Sequence, residues 1–169
     1  MHLKLPHISL NEYYQFITFR TKDSVDAYIA KLQNDTTLTT RIKQYKIDEY
    51  LDNSNNGAYL YDKNINILKE VIFSKDKYLY ELEAFSIMPN HVHILLKQKE
   101  ELSIIIKFIK AKSAIELNKS LDKSGKFWHD SYFDKLIRNQ KHYDLVYNYI
   151  LNNPIKAGID SVERIYSKY

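Results

Sequence analysis

Ten residues, Ile87-Met88-Pro89-Asn90-His91-Val92-His93-Ile94-Leu95-Leu96, constrain this chain more than any other stretch. They read as a strand that a Pro-Asn turn introduces and two histidines interrupt. Side chains alternate along a strand, so His91 and His93 emerge together on one face while Val92 and Ile94 point into a core. Two imidazoles side by side on a rigid sheet form half of a metal site. Their place at the strand's start is expected to leave them open enough to admit a ligand. A bare His-x-His is equally compatible with two polar residues on a solvated face, so the rest of the chain has to decide.

Composition narrows the class. At 169 residues the chain is long enough to bury a proper core and reads as one domain over residues 1–169. With no cysteine, disulfides and thiolate metal sites are excluded. The segment from Met1 to His7 lacks the apolar run of a signal peptide, and no stretch approaches a membrane span, so a cytoplasmic protein is expected. A net charge of +4 leans mildly toward polyanions. Most of the 15 tyrosines must be core or surface filler.

Strands are expected over residues 13–21, 78–87 and 132–138 and along the histidine run to Leu96, from their aromatic and β-branched content and alternation. In the second, Tyr80, Leu82 and Ala84 share one face and Glu81 and Glu83 the other. Helices are expected from Ser24 to Leu32, Thr40 to Leu51, Asn64 to Phe73, Ile104 to Asn118 behind a Ser103 cap, and from Asn139 to about Asn152. Pro154 should end the last helix at Asn153, with Gly158 marking the exit. The fold class is therefore α+β: an antiparallel sheet with helices on one face, the other left open for the histidines.

That last helix offers partners for them. Residues four apart share a helix face, so Tyr149 projects with Asn153, and Tyr143 with Tyr147. Only the first pair joins a phenol to an amide oxygen able to bind a hard cation. Two imidazoles and one amide would hold Mg²⁺ or Mn²⁺ with positions open for phosphate and water. A phenol beside a metal-polarised phosphate is a nucleophile that leaves a covalent phosphotyrosine. The plainer alternative is a core tyrosine and a helix-terminal asparagine.

Met88-Pro89-Asn90-His91-Val92-His93-Ile94-Leu95 closely resembles the HUH motif of single-tyrosine transposases, and within them the REP-associated tyrosine transposases. The likeness runs from the first strand through Phe127-Trp128, Tyr132-Phe133-Asp134 and Ile137-Arg138 to the segment from Tyr149 to Gly158. It implies an HUH endonuclease with a ferredoxin-like core. His91, His93 and Asn153 would ligate the metal. Tyr149 would attack single-stranded DNA, leaving a 5′-phosphotyrosine and a free 3′-OH beside a palindromic hairpin. Arg20, Lys107, Lys110, Lys112, Trp128 and Arg138 would contact DNA, although lysines on a solvated helix face and aromatic packing explain most of these equally well. His129 departs from the glutamine common after this tryptophan, and only a short tail follows Gly158. Single-stranded or hairpin DNA is the implied partner; monomer and homodimer both stay open.

Three other readings bear on the site. A histidine-triad hydrolase needs a third histidine where Leu95 stands. A non-catalytic module that binds nucleic acid on an open sheet would not need Tyr149 with Asn153. A domesticated hairpin-binding protein that keeps the fold without cleaving is the serious alternative.

Overall fold

The computed structural model describes residues 13–169, so the expectation for Met1 to His7 lies outside the described residues. Five antiparallel strands, β1 (Tyr14–Arg20), β2 (Tyr80–Ile87), β3 (His91–Gln98), β4 (Phe133–Ile137) and β5 (Ile165–Ser167), form one sheet in the order β4-β1-β3-β2-β5. Five α-helices accompany them: α1 (Ala27–Asn34), α2 (Thr40–Asp52), α3 (Lys63–Ser74), α4 (Leu102–Ser120) and α5 (Gln140–Lys156). The α+β class and the antiparallel sheet are as expected. No described helix is long and apolar enough to cross a membrane.

Alternation sorts the sheet's two faces. Ile17 and Phe19 of β1 with Val92, Ile94 and Leu96 of β3 pack against Leu68 and Ile72 of α3 and Ile105, Ile106 and Ile109 of α4. Tyr14, Phe16 and Leu95 point the other way and meet Tyr143, Val146, Tyr147 and Ile150 of α5. The second face, expected to be open, is therefore covered, and every residue of β1 is buried. Burying an apolar stripe of α5 outweighs leaving the sheet wet. Helices α1 and α2 pack on each other through Ile29, Leu32, Ile47 and Leu51.

Four local expectations are corrected. Asp26, not Ser24, caps α1, accepting from the Tyr28 and Ile29 N–H groups; Ser24 ends a short 3₁₀ turn and spends its hydroxyl on the Thr21 carbonyl. Ser103 lies inside α4, whose start has no side-chain cap. A bulge between Leu82 and Ala84 breaks the alternation of β2, so Ala84 joins the α5 side while Tyr80 and Leu82 stay on the other. The shift also buries Glu83, which accepts from Tyr143 Oη (2.6 Å) and Lys168 Nζ (2.8 Å).

The fourth concerns α5, which runs past Pro154 to Lys156. Proline in a last turn removes one helical donor, and the helix end recovers the carbonyls: Gly158 N–H reaches the Ile155 carbonyl and Ile159 N–H that of Pro154. Gly158 supplies the left-handed φ of +72° this closure needs. Asn153 thereby stays helical.

Gly57 sits in the loop after α2 at φ +62°, against the end of β1, and its carbonyl accepts from Thr21 Oγ1. A Cβ there would overlap Thr21 Oγ1 and lie 2.5 Å from the Ser24 nitrogen. Gly57→Ala should destabilise the protein by more than the roughly 1–2 kcal/mol of left-handed strain alone, read as a lower midpoint in urea; an unchanged midpoint would contradict this packing.

Candidate metal centre

The antiparallel register of β1 and β3 sets Thr18 opposite His93 and Arg20 opposite His91, all on the face that α5 covers. Both histidines are fully buried, which corrects the expectation of an exposed strand start. Each spends its Nδ1 on a neighbour. Thr18 Oγ1 shares a hydrogen bond with His93 Nδ1 at 2.7 Å, and Asn90 Oδ1 one with His91 Nδ1 at 2.7 Å.

Asn90 leaves no choice of tautomer at His91. Its Nδ2 donates to the carbonyls of Leu51 (3.2 Å), Ser54 (3.1 Å) and Asn56 (3.3 Å), which turns Oδ1 toward the imidazole. His91 Nδ1 must then be the donor, and Nε2 carries the lone pair. That lone pair stands 3.5 Å from Asp52 Oδ1, and neither atom has a hydrogen-bond partner. Two buried acceptors facing each other are stable only with a proton or a cation between them. Burial, first, and then His93 and Arg20 hold His91 well below its ordinary pKa, so it is not the source of that proton. Burial alone pushes His93 down to about 3. Both rings are neutral, the form that ligates metals.

Orphaned atoms concentrate here. Among the described residues, the buried side-chain atoms without a partner are His91 Nε2, His93 Nε2, Asp52 Oδ1, Asn153 Nδ2, Arg20 Nε, Ser86 Oγ and Gln15 Oε1. Those of Asp52, Arg20 and Ser86 lie beside the histidines: Asp52 faces His91, Arg20 pairs with His91 across β1 and β3, and Ser86 with His93 across β2 and β3. Asn153 is 2% exposed, and rotating its amide exchanges the unpartnered NH₂ for the oxygen. The donor chemistry fits a hard divalent ion better than a soft one.

Helix α2 completes the cluster. Ligand atoms of Asp48, His91 and His93 all lie within 4.8 Å of one another. Asp48 Oδ1 accepts from Gln44 Nε2 at 2.7 Å, and its Oδ2 from Tyr149 Oη at 3.1 Å. Burial raises Asp48 to about 7 against the pull of those two bonds. Burial likewise raises Asp52 to about 6, with Lys156 opposing. Sequence reading missed Asp48, Asp52, Gln44 and Asn90. The signal for the first three is the i, i+4, i+8 spacing of Gln44, Asp48 and Asp52, a polar stripe beside the apolar one.

Tyr149 and Asn153 share a face of α5 as expected, and the Tyr149 ring packs edge-on against His93 (5.3 Å between centroids) and Phe16 (5.9 Å). Burial, and then the Asp48 carboxylate, push the Tyr149 phenol well above its ordinary pKa, so it rests protonated. Tyr143 gives its hydroxyl to Glu83, and Tyr147 gives its own to the Tyr169 carbonyl (3.1 Å).

The other expected DNA contacts disperse. Arg20 borders the cluster. Lys107 and Lys112 are exposed on α4, across the sheet from the histidines, and Lys112 pairs with Glu116 at 3.3 Å. Lys110 is tied to the carbonyls of His129 and Asp130. Arg138 is exposed just after β4. Trp128, expected among the DNA contacts, is a core residue instead: 3% exposed, its ring against Phe19 and its Nε1 donating to Ser113 Oγ (2.9 Å). It has no free face for a base.

Residues 57–153, more than half of the chain, match the family model described as Transposase IS200 like. The chain belongs to this family. The match takes in His91, His93, Tyr149 and Asn153, whereas β1 and α2 precede it. Among solved structures, this transposase-family chain resembles a REP-associated tyrosine transposase bound to a REP hairpin (TM-score 0.52, 20% identity, 94% of this chain and 74% of that one). It also resembles a Deinococcus radiodurans R1 protein assigned as a transposase (TM-score 0.50, 17% identity, 89% and 98%). At such identities the likeness is one of fold. No curated protein matches the chain.

A cation that satisfies these orphaned atoms should stabilise the fold. At a hundred times its dissociation constant a ligand adds about 2.7 kcal/mol, which for a protein of this size raises Tm by about 5–11 °C. Mn²⁺ should do so for the wild type and not for His93→Ala in thermal melts. Asn90→Ala should weaken Mn²⁺ binding by about 10–100-fold. A Tm indifferent to Mn²⁺ would contradict the site.

Proposed function

We propose that this chain is a metal-dependent single-stranded DNA endonuclease and strand transferase acting beside palindromic hairpin DNA, with Tyr149 as its nucleophile. One observation carries the reading: the Tyr149 ring lies on His93 and its hydroxyl is bonded to Asp48, within a buried cluster of unpartnered metal-ligating atoms. Family membership supports it independently.

His91 and His93 through Nε2, Asp48 and Asn153 would hold Mg²⁺ or Mn²⁺, which supplies charge neutralisation at the scissile phosphate. Tyr149 Oη attacks phosphorus, the Oη–P bond forms, and the bond from phosphorus to the 3′-oxygen breaks. The phenol rests protonated, so its proton must leave as the attack proceeds, and Asp48 Oδ2 is the acceptor already bonded to it. The departing 3′-oxygen takes a proton from solvent. Attack by a 3′-OH on the phosphotyrosine reverses the sequence and rejoins strands without ATP.

A hairpin-binding protein that does not cleave is the second reading, favoured by the complete burial of His91 and His93. Denaturing electrophoresis with labelled single-stranded DNA carrying short palindromic hairpins separates the two. Wild type with Mn²⁺ should form a covalent band that a chelator prevents. Tyr149→Phe should lose that band while still folding and binding DNA, whereas Tyr143→Phe and Tyr147→Phe should keep it. Hairpin binding with no covalent band under any metal would favour the second reading.

A further inference from the structure

An open cleft of about 300 Å³ separates the first turn of α2 from the start of β4, its wall formed by Arg20, Thr40, Lys43, Gln44, Ser131 and Tyr132 among others. It adjoins the metal cluster directly, because Gln44 lines the cleft and also donates to Asp48. Its volume sits at the low end of small-ligand sites, roughly 300–1,000 Å³, which suits one nucleotide rather than a length of strand.

Its chemistry selects an anion. Arg20 is only 4% exposed, yet its Nε has no partner. Lys43 gives one donor to the Gln33 carbonyl at 3.0 Å and keeps two. Thr40 opens α2, whose first-turn N–H groups lack helical acceptors; Thr39 Oγ1 caps one of them, that of Ile42. Lys110 lies close enough to Arg20 to feel its charge, so the positive field extends past the cleft. The neighbouring carboxylates are engaged: Asp130 with Lys126 at 2.6 Å, and Asp48 behind Gln44. Tyr132, half-buried in the wall, adds an aromatic surface.

We propose that this cleft is a nucleotide subsite, taking the nucleotide next to the scissile phosphodiester with its phosphate on Arg20, Lys43 and the α2 N-terminus and its base on Tyr132. The proposal rests on the nuclease reading for the identity of its ligand, but the test does not depend on cleavage. Thymidine 3′,5′-bisphosphate is titrated calorimetrically into the metal-free protein in chelator. It should bind, and thymidine should not. Lys43→Gln should weaken binding about ten-fold, the loss expected for one charge-assisted hydrogen bond. Tyr132→Ala should cost at least about five-fold, the low end of base stacking on an aromatic ring. Lys119→Gln, remote on α4, should change nothing. Arg20→Lys, which keeps the charge but loses Nε, should also weaken binding; if that buried substitution unfolds the protein, the Lys43 and Tyr132 variants carry the test. Failure of the bisphosphate to bind, or wild-type affinity in both Lys43→Gln and Tyr132→Ala, overturns the subsite. A covalent Tyr149 product alongside unaltered bisphosphate affinity would discard the subsite and keep the nuclease. Weakened binding without any covalent product would do the reverse.

Discussion

The amide of Asn90 is the contact on which the site depends. Its NH₂ is spent on three carbonyls of the α2 exit loop, so its oxygen can face only His91, and the His91 lone pair is thereby fixed on Nε2. One side chain thus joins two pieces of chain almost forty residues apart and sets the tautomer of His91. Gly57 continues that loop against Thr21, so the segment carrying the carbonyls is itself clamped to the end of β1. Hydrogen bonds to the far nitrogen commonly decide which imidazole nitrogen a metal sees, and here the partner sits next to the histidine in sequence.

Burial gives this arrangement its chemistry. Two neutral imidazoles and two carboxylates pushed up to about 7 and about 6 share one dry region beneath α2 and α5. Such a cluster is costly in isolation, since the His91 Nε2 and Asp52 Oδ1 lone pairs face each other without a donor. A divalent cation held there would reverse the balance, drawing the carboxylates to their charged form and satisfying His91 Nε2. The same burial keeps the Tyr149 phenol protonated at rest, bonded to the Asp48 carboxylate. The cleft walled by Gln44 brings solvent within one side chain of Asp48.

Much of this was legible in the sequence, for definite reasons. His91 and His93 share a face because strands alternate, and Tyr149 and Asn153 do because helices repeat near four; both rules are local. The contributions of α2 were not legible, because Asp48 and Asp52 reach the histidines through the docking of a helix forty residues upstream. The phase of β2 was misjudged at Ala84, since a bulge leaves no trace in polarity alternation once the extra residue, Glu83, is itself buried. Pro154 misled in the other direction: the penalty it brings falls on the last turn, where Gly158 repairs the helix end. The short edge strand β5 carries too few residues to show a pattern.

The central claim is that His91 and His93 stand neutral, with the Nε2 of His91 bare and ready for a cation. Nitrogen-15 NMR of the histidine side chains in metal-free protein near neutral pH reads protonation and tautomer at each ring directly. The expected spectrum shows both rings neutral, His91 with its proton on Nδ1 and an unprotonated Nε2, whose resonance shifts or broadens on adding Mg²⁺ or Mn²⁺ respectively. An imidazolium at His91, or a proton on its Nε2 that persists in saturating metal, would contradict the account.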